Sequence, residues 1–258
     1  MSITLFQGLL LAAIIFVIAW DARWECFFVF HPIVICVITG AVLGDIRLGL
    51  EAGAIAELAY LGLSTVGGTV PPNALIAGLM TVVLAYKGNV SAETALGLSL
   101  PFALLMQWIQ IACQSLFAGF VPKLEDAAGR NDMKAYRFYV FLPELILTSL
   151  YAIIAFLSVY ALQDVLSGFV NSFPAFVSHG FEIAGGLLPG LGLALLLKVM
   201  LKKDNVAYLI IGFLLMSVLA LGNVLPVALF AVALALIDFM KKKDNPVEKE
   251  EQSDAEGI

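Results

Sequence analysis

The residues best equipped for chemistry lie in the stretch Gly40–Gly78, GAVLGDIRLGLEAGAIAELAYLGLSTVGGTVPPNALIAG. It reads as membrane sequence, yet it carries Asp45, Glu51 and Glu57 with Arg47 as the one positive charge. An apolar environment holds a carboxylate only if it is paired, hydrogen-bonded or facing a polar cavity, and an acid at that depth is a functional hypothesis by default. In a helix starting near Ile46, Tyr60, Leu61 and Ser64 follow Glu57 at i+3, i+4 and i+7, on the same face. A carboxylate, a phenol and a hydroxyl on one stripe suit a ligand rich in hydroxyl groups. The competing reading makes Glu57 a protonated or paired residue at a helix–helix contact.

A second stripe lies further on, where Gln107, Gln110 and Gln114 recur at i, i+3 and i+7, with Ser99 two turns earlier. Amide side chains both donate and accept, so they match sugar hydroxyls; they also bridge membrane helices to one another. Gln107 is the strongest candidate of the three. Asn73 has two readings of equal weight: a helix N-cap, or an amide pointing into a cavity where half-helix ends face a substrate. For Asp45 the cap reading prevails, since an acid at a helix start suits the free N–H groups and the dipole. His31 precedes Pro32, and a buried, hydrogen-bonded histidine beside a proline kink is favoured over a cavity contact.

The elements that position these groups must be membrane helices. The chain has 258 residues, 61% hydrophobic and 13% charged, about half the charge expected of a soluble domain. Its mean hydropathy is +0.99. Apolar segments fall near 3–20, 27–43, 96–120, 140–162, 184–201, 206–222 and 224–240. The first has no basic leader and no small-residue cleavage site, which marks it as a retained helix. Between the second and third, residues 46–66 and 74–86 are too broken for two ordinary spans. Gly67, Gly68 and Pro71–Pro72 suggest a loop between half-helices, tolerated in a membrane where backbone lines a cavity. Segment 165–182, with Asn171, Pro174 and His179, reads as an interfacial or amphipathic connector. The fold class is an all-α polytopic membrane protein, a transmembrane bundle with broken or re-entrant helices around a mid-membrane cavity.

Charge divides the chain into a transmembrane part, 1–243, and a disordered, solvated tail, 244–258. The tail holds six acids and one lysine, or −5 of the formal −6. A nucleic-acid partner is excluded for want of a basic surface. Lys123, Arg130, Lys134 and Arg137 form one cluster, Lys198, Lys202 and Lys203 a second, and Lys241–Lys243 a third. Two spans separate successive clusters if 165–182 does not cross, so all three face the cytoplasm under the positive-inside rule. Cys26, Cys36 and Cys113 are scattered, and His31 and His179 are the only histidines, so no metal site is expected. No Walker motif, nucleophile elbow or phosphate-cradling glycine motif is present.

With these residues in view, the sequence resembles the membrane-embedded IIC component of the mannose/fructose/sorbose class of the bacterial phosphoenolpyruvate-dependent sugar phosphotransferase system. The resemblance runs from Ile3 to about Lys243. It is carried by FHPIVICVITGAVLGD (Phe30–Asp45), GLEAGAIAELAYLG (Gly49–Gly62), GTVPPNA (Gly68–Ala74) and HGFEIAGGLLPGLGLALLLK (His179–Lys198). It implies a permease subunit that pairs with a IID membrane subunit. That unit moves sugar inward while soluble IIA and IIB carriers phosphorylate it through histidines of their own. It further implies an elevator-type movement, a trimer of IIC–IID pairs and the bacterial inner membrane, C-terminus cytoplasmic. Glu57 matches the family's acid; Asn73 stands where relatives often have Asp, Ser64 where some have Asn, and His31-Pro32 where Arg-Pro is common. The expected substrate-binding set is Glu57, Tyr60, Ser64, Asn73, Gln107, Gln110 and His31, with no catalytic residue, metal or cofactor. The rival reading is an ion-coupled secondary transporter of a small polar solute, with Glu57 as the coupling residue.

Overall fold

In the computed structural model the described residues are 3–63, 70–161, 174–202, 205–219 and 224–244. All regular structure among them is helical. The chain separates into two compact units, Met1–Val199 and Met200–Ile258. The first holds α1 (Leu5–Trp24), α2 (Pro32–Leu43), α3 (Ile46–Tyr60), α4 (Ala74–Gly88), α5 (Ala92–Phe117), α6 (Val121–Gly129), α7 (Met133–Phe156) and nearly all of α8 (Ala175–Met200). The second holds α9 (Val206–Leu219) and α10 (Leu225–Asp244).

Local chemistry sets the helix boundaries. Thr4 and Gln7 form a capping box at the start of α1, and Asp45, Asn73, Ser91 and Asp132 cap α3, α4, α5 and α7 through their side chains. Asp45 is a cap, as its position suggested: its Oδ1 accepts from the Leu48 N–H at 2.9 Å. Gly44 closes α2 at φ +87°, a conformation that a side chain would strain. Pro32 is not a kink. It occupies the first turn of α2, where a missing N–H costs nothing, and His31 is the N-cap residue.

Among the described residues, four helical stretches are long and apolar enough to cross a bilayer: Leu5–Trp24, Ala92–Gly129, Met133–Tyr160 and His179–Met200. By contrast α3 and α4 have 15 residues each, or about 22 Å, short of the roughly 30 Å hydrocarbon core. These are the broken pair anticipated from the glycines and prolines. Every residue of α4 from Leu75 to Ala85 is buried, so it is the central post of the bundle. α2 and α3 pack backbone to backbone: a Cβ on Gly49 would lie 2.6 Å from the Cys36 carbonyl oxygen.

The segment 165–182, expected to be an interfacial or amphipathic connector, is described in part. Residues 165–173 lie outside the described residues, but from Ala175 the chain is already helical and runs without a break to Met200. Pro174 sits just before this helix, and its carbonyl accepts from the Val177 N–H at 2.9 Å. A proline there starts a helix as readily as it ends one. The acidic tail beyond residue 244 also lies outside the described residues.

α1 runs antiparallel to α7. Gly8 meets Phe156 and Tyr160 at one end; at the other Arg23 forks onto Glu144, at 2.7 and 3.0 Å. Trp20 stacks on Phe141 beside this pair. The start of α1 is thus at the opposite end of α7 from the cluster Lys123, Arg130, Lys134 and Arg137.

Candidate substrate site

The interrupted region builds a small cavity. The end of α3, the extended residues 70–73, the first residue of α4 and the middle of α5 enclose about 170 Å³, lined by Tyr60, Leu63, Val70, Pro71, Pro72, Asn73, Ala74 and Gln110. Two prolines suit a non-helical segment here, since neither has an N–H left to satisfy at depth. The next N–H, that of Asn73, donates to the Ala103 carbonyl of α5 at 3.1 Å.

Asn73 is the N-cap of α4, one of its two readings, and it also lines the cavity. Its Oδ1 caps α4, accepting from the Ile76 N–H at 3.0 Å. Its Nδ2 donates to the Tyr151 hydroxyl at 2.6 Å and reaches the Gln110 Oε1 at 3.4 Å. Tyr151 in turn donates to Gln110 Oε1 at 3.1 Å. The three side chains, from the N-cap of α4, from α5 and from α7, close a triangle beside the cavity. Tyr60 contrasts with them: its residue is 7% exposed, and its hydroxyl has no hydrogen-bond partner among the described residues. A buried phenol left unsatisfied costs free energy unless a ligand or water completes it. The lining carries no charged side chain among the described residues.

The other candidates stand around this centre. Gln107 donates through Nε2 to the Val70 carbonyl, tying α5 to the extended segment. Ser99 is buried and bonds the Leu96 carbonyl of its own helix at 2.7 Å, while Gln114 is exposed. The glutamine stripe therefore divides into a wall anchor, Gln107, and a lining residue, Gln110. Ser64, with Gly67 and Gly68, lies outside the described residues.

Glu57 sits one turn before Tyr60 and does not line the cavity. One oxygen meets His31 Nδ1 at 2.8 Å and the other accepts from the Ile33 N–H at 3.1 Å. A carboxylate there meets the positive end of the α2 dipole and satisfies an N–H that α2 cannot satisfy itself. His31 stacks against Phe30, with ring centroids 5.1 Å apart, and its side chain is 43% exposed, so it is not buried. The pair pins α2 to α3.

Residues 5–237 match the sequence family described as PTS system sorbose-specific IIC component. The chain belongs to that family. This IIC component is 45% identical to N-acetylgalactosamine permease IIC component 1 of Escherichia coli K12 over 242 residues, covering 94% of this chain and 91% of that protein. It is 27% identical to the mannose-specific EIIC component of the same organism, over 72% of this chain and 71% of that one. With the sorbose-specific EIIC component of Klebsiella pneumoniae the identity is 27%, covering 75% of each. In fold it is similar to a chain described as "Structure of membrane protein", with a TM-score of 0.82 at 22% identity, covering 93% of this chain and 97% of that one. A chain of the mannose transporter ManYZ in complex with microcin E492 has a TM-score of 0.59 at 22% identity and the same coverage. The protein is a helical membrane-transport subunit, a phosphotransferase-system sugar permease component.

Two residues of this IIC component escaped the reading of its sequence. Tyr151 belongs to a stripe on α7, Glu144, Thr148 and Tyr151, whose helical spacing was open to the same argument as the glutamines. Asp21 is 6% exposed and takes the Phe27 and Val29 N–H groups at 2.7 and 2.9 Å, shaping the loop that delivers His31. Nothing in its spacing marks that role, because its partners are backbone groups in a loop.

Proposed function

We propose that this chain binds a hexose or amino sugar at the α3–α4–α5 cavity and carries it inward. It would act with a IID subunit, coupled to phosphorylation by soluble IIA and IIB proteins. The observation that carries the reading is a neutral cavity lined by Tyr60, Asn73 and Gln110, with a buried Tyr60 hydroxyl that has no hydrogen-bond partner among the described residues. Such groups bind hydroxyl-rich, uncharged molecules by hydrogen bonds while apolar walls exclude water. Gln107, Glu57 and His31 serve that site by holding its walls, and Ser64, outside the described residues, stays in the proposed substrate-binding set. Family membership supports the phosphotransferase coupling, and likeness to a chain of the ManYZ transporter supports a second membrane subunit. The assembly would be a trimer of IIC–IID pairs in the bacterial inner membrane. Among sugars, N-acetylgalactosamine leads, because the 45% identical relative is named for it.

The ion-coupled alternative needs a carboxylate free to bind a cation, whereas both Glu57 oxygens are engaged. The test is a phosphoenolpyruvate-dependent uptake panel in cells supplying IIA, IIB and IID. It compares N-acetylgalactosamine, galactosamine, glucosamine, mannose, fructose and sorbose. Uptake of at least one sugar that is lost in Gln110→Ala, with membrane insertion intact, is the expected result. Uptake that proceeds without IIA and IIB would overturn the coupling.

A further inference from the structure

The triangle beside the cavity has a property that depends on which way its amides face. Amide orientation is set by hydrogen-bond partners, and here those partners leave one arrangement. Asn73 must turn its oxygen to the Ile76 N–H that it caps, so its nitrogen faces Tyr151 and Gln110. Gln110 then receives both the Asn73 N–H and the Tyr151 O–H on Oε1, which leaves its Nε2 as the group not committed to the triangle. Asn73 and Gln110 line the cavity; Tyr151, 7% exposed and on α7, does not.

We propose that Tyr151 is a positioning residue for the sugar site. Its hydroxyl, accepting from Asn73 and donating to Gln110 Oε1, holds the Gln110 amide so that its Nε2 offers N–H donors to the cavity. The ligand group read there is accordingly an oxygen acceptor, a sugar hydroxyl, ring oxygen or acyl carbonyl. This rests on the cavity being the sugar site. Without the Tyr151 hydroxyl, Gln110 is free to rotate by half a turn and present its oxygen, setting acceptor against acceptor. The same triangle links α7 to the tip of the interrupted segment, so the orientation is imposed from outside the elements that line the cavity.

The experiment is a double-mutant cycle on the purified IIC–IID complex with Tyr151→Phe, Gln110→Ala and the pair, reading sugar Kd by equilibrium binding of N-acetylgalactosamine and mannose. Tyr151→Phe keeps the ring and removes only the hydroxyl, so thermal stability is followed in parallel. The expected result is a Kd weakened roughly three- to tenfold in Tyr151→Phe, the worth of about one hydrogen bond. In the Gln110→Ala background Tyr151→Phe adds little, because the phenol acts through the amide. Unchanged Kd in Tyr151→Phe, or effects that simply add, would overturn the positioning role. Tighter binding would also overturn it, by making the phenol a competitor of the sugar. Failure of the wild-type complex to bind either sugar would instead sink the sugar-site reading, and the positioning role with it.

Discussion

Removing the Glu57 carboxylate separates an anchor from a sugar contact. Its two oxygens hold His31 at 2.8 Å and the Ile33 N–H at 3.1 Å. Glu57→Gln can keep both positions filled, with the amide oxygen on the Ile33 N–H and the amide nitrogen on a neutral His31 Nδ1. The loss is charge assistance alone, about 1 kcal/mol. Glu57→Ala removes both hydrogen bonds and leaves the Ile33 N–H bare at the start of α2, which adds to about 2–4 kcal/mol. At roughly 2–4 °C per kcal/mol for a chain of this size, that is a fall in Tm of about 4–16 °C. The assay is thermal unfolding of the purified complex alongside sugar uptake. An anchor gives a graded outcome, with Glu57→Gln mildly affected in both readouts and Glu57→Ala losing stability and uptake together. Wild-type stability in Glu57→Ala, or uptake abolished in Glu57→Gln at full stability, would refute the reasoning.

Three further outcomes follow from the packing. Arg23→Ala leaves Glu144 without its cation at a partly buried site and lowers stability by about 1–3 kcal/mol; the Arg23→Ala, Glu144→Ala pair recovers part of that loss, read by Tm. Gly192→Leu places a side chain against the Leu58 and Ala59 carbonyls of α3 and costs about 1–3 kcal/mol or more, seen as lower yield of folded complex. With the cluster Lys123, Arg130, Lys134 and Arg137 in the cytoplasm, a Thr4→Cys variant in a cysteine-free background reacts with an impermeant maleimide from outside, and a C-terminal fluorescent fusion lights up inside.

Much of this protein was legible in its residues. Apolar run lengths fixed a membrane bundle, and the interruption at Pro71–Pro72 marked two half-length helices, because these are one-dimensional signals of span and backbone competence. Asp45 and Asn73 could be read as caps for the same reason: a cap is local, bonding a backbone group three residues on. Long-range pairing was not legible. Glu57, read as a ligand for hydroxyls, is tied to a helix start 24 residues away, and Gln107 spends its amide on a carbonyl 37 residues away. Tyr151 meets Asn73 across 78 residues. A polar stripe says only that a helix face needs partners. Whether a neighbouring helix or a cavity supplies them is decided when the bundle closes, and here it gave the Asn73 and Gln110 amides a partner on α7 and left the Tyr60 hydroxyl with none among the described residues.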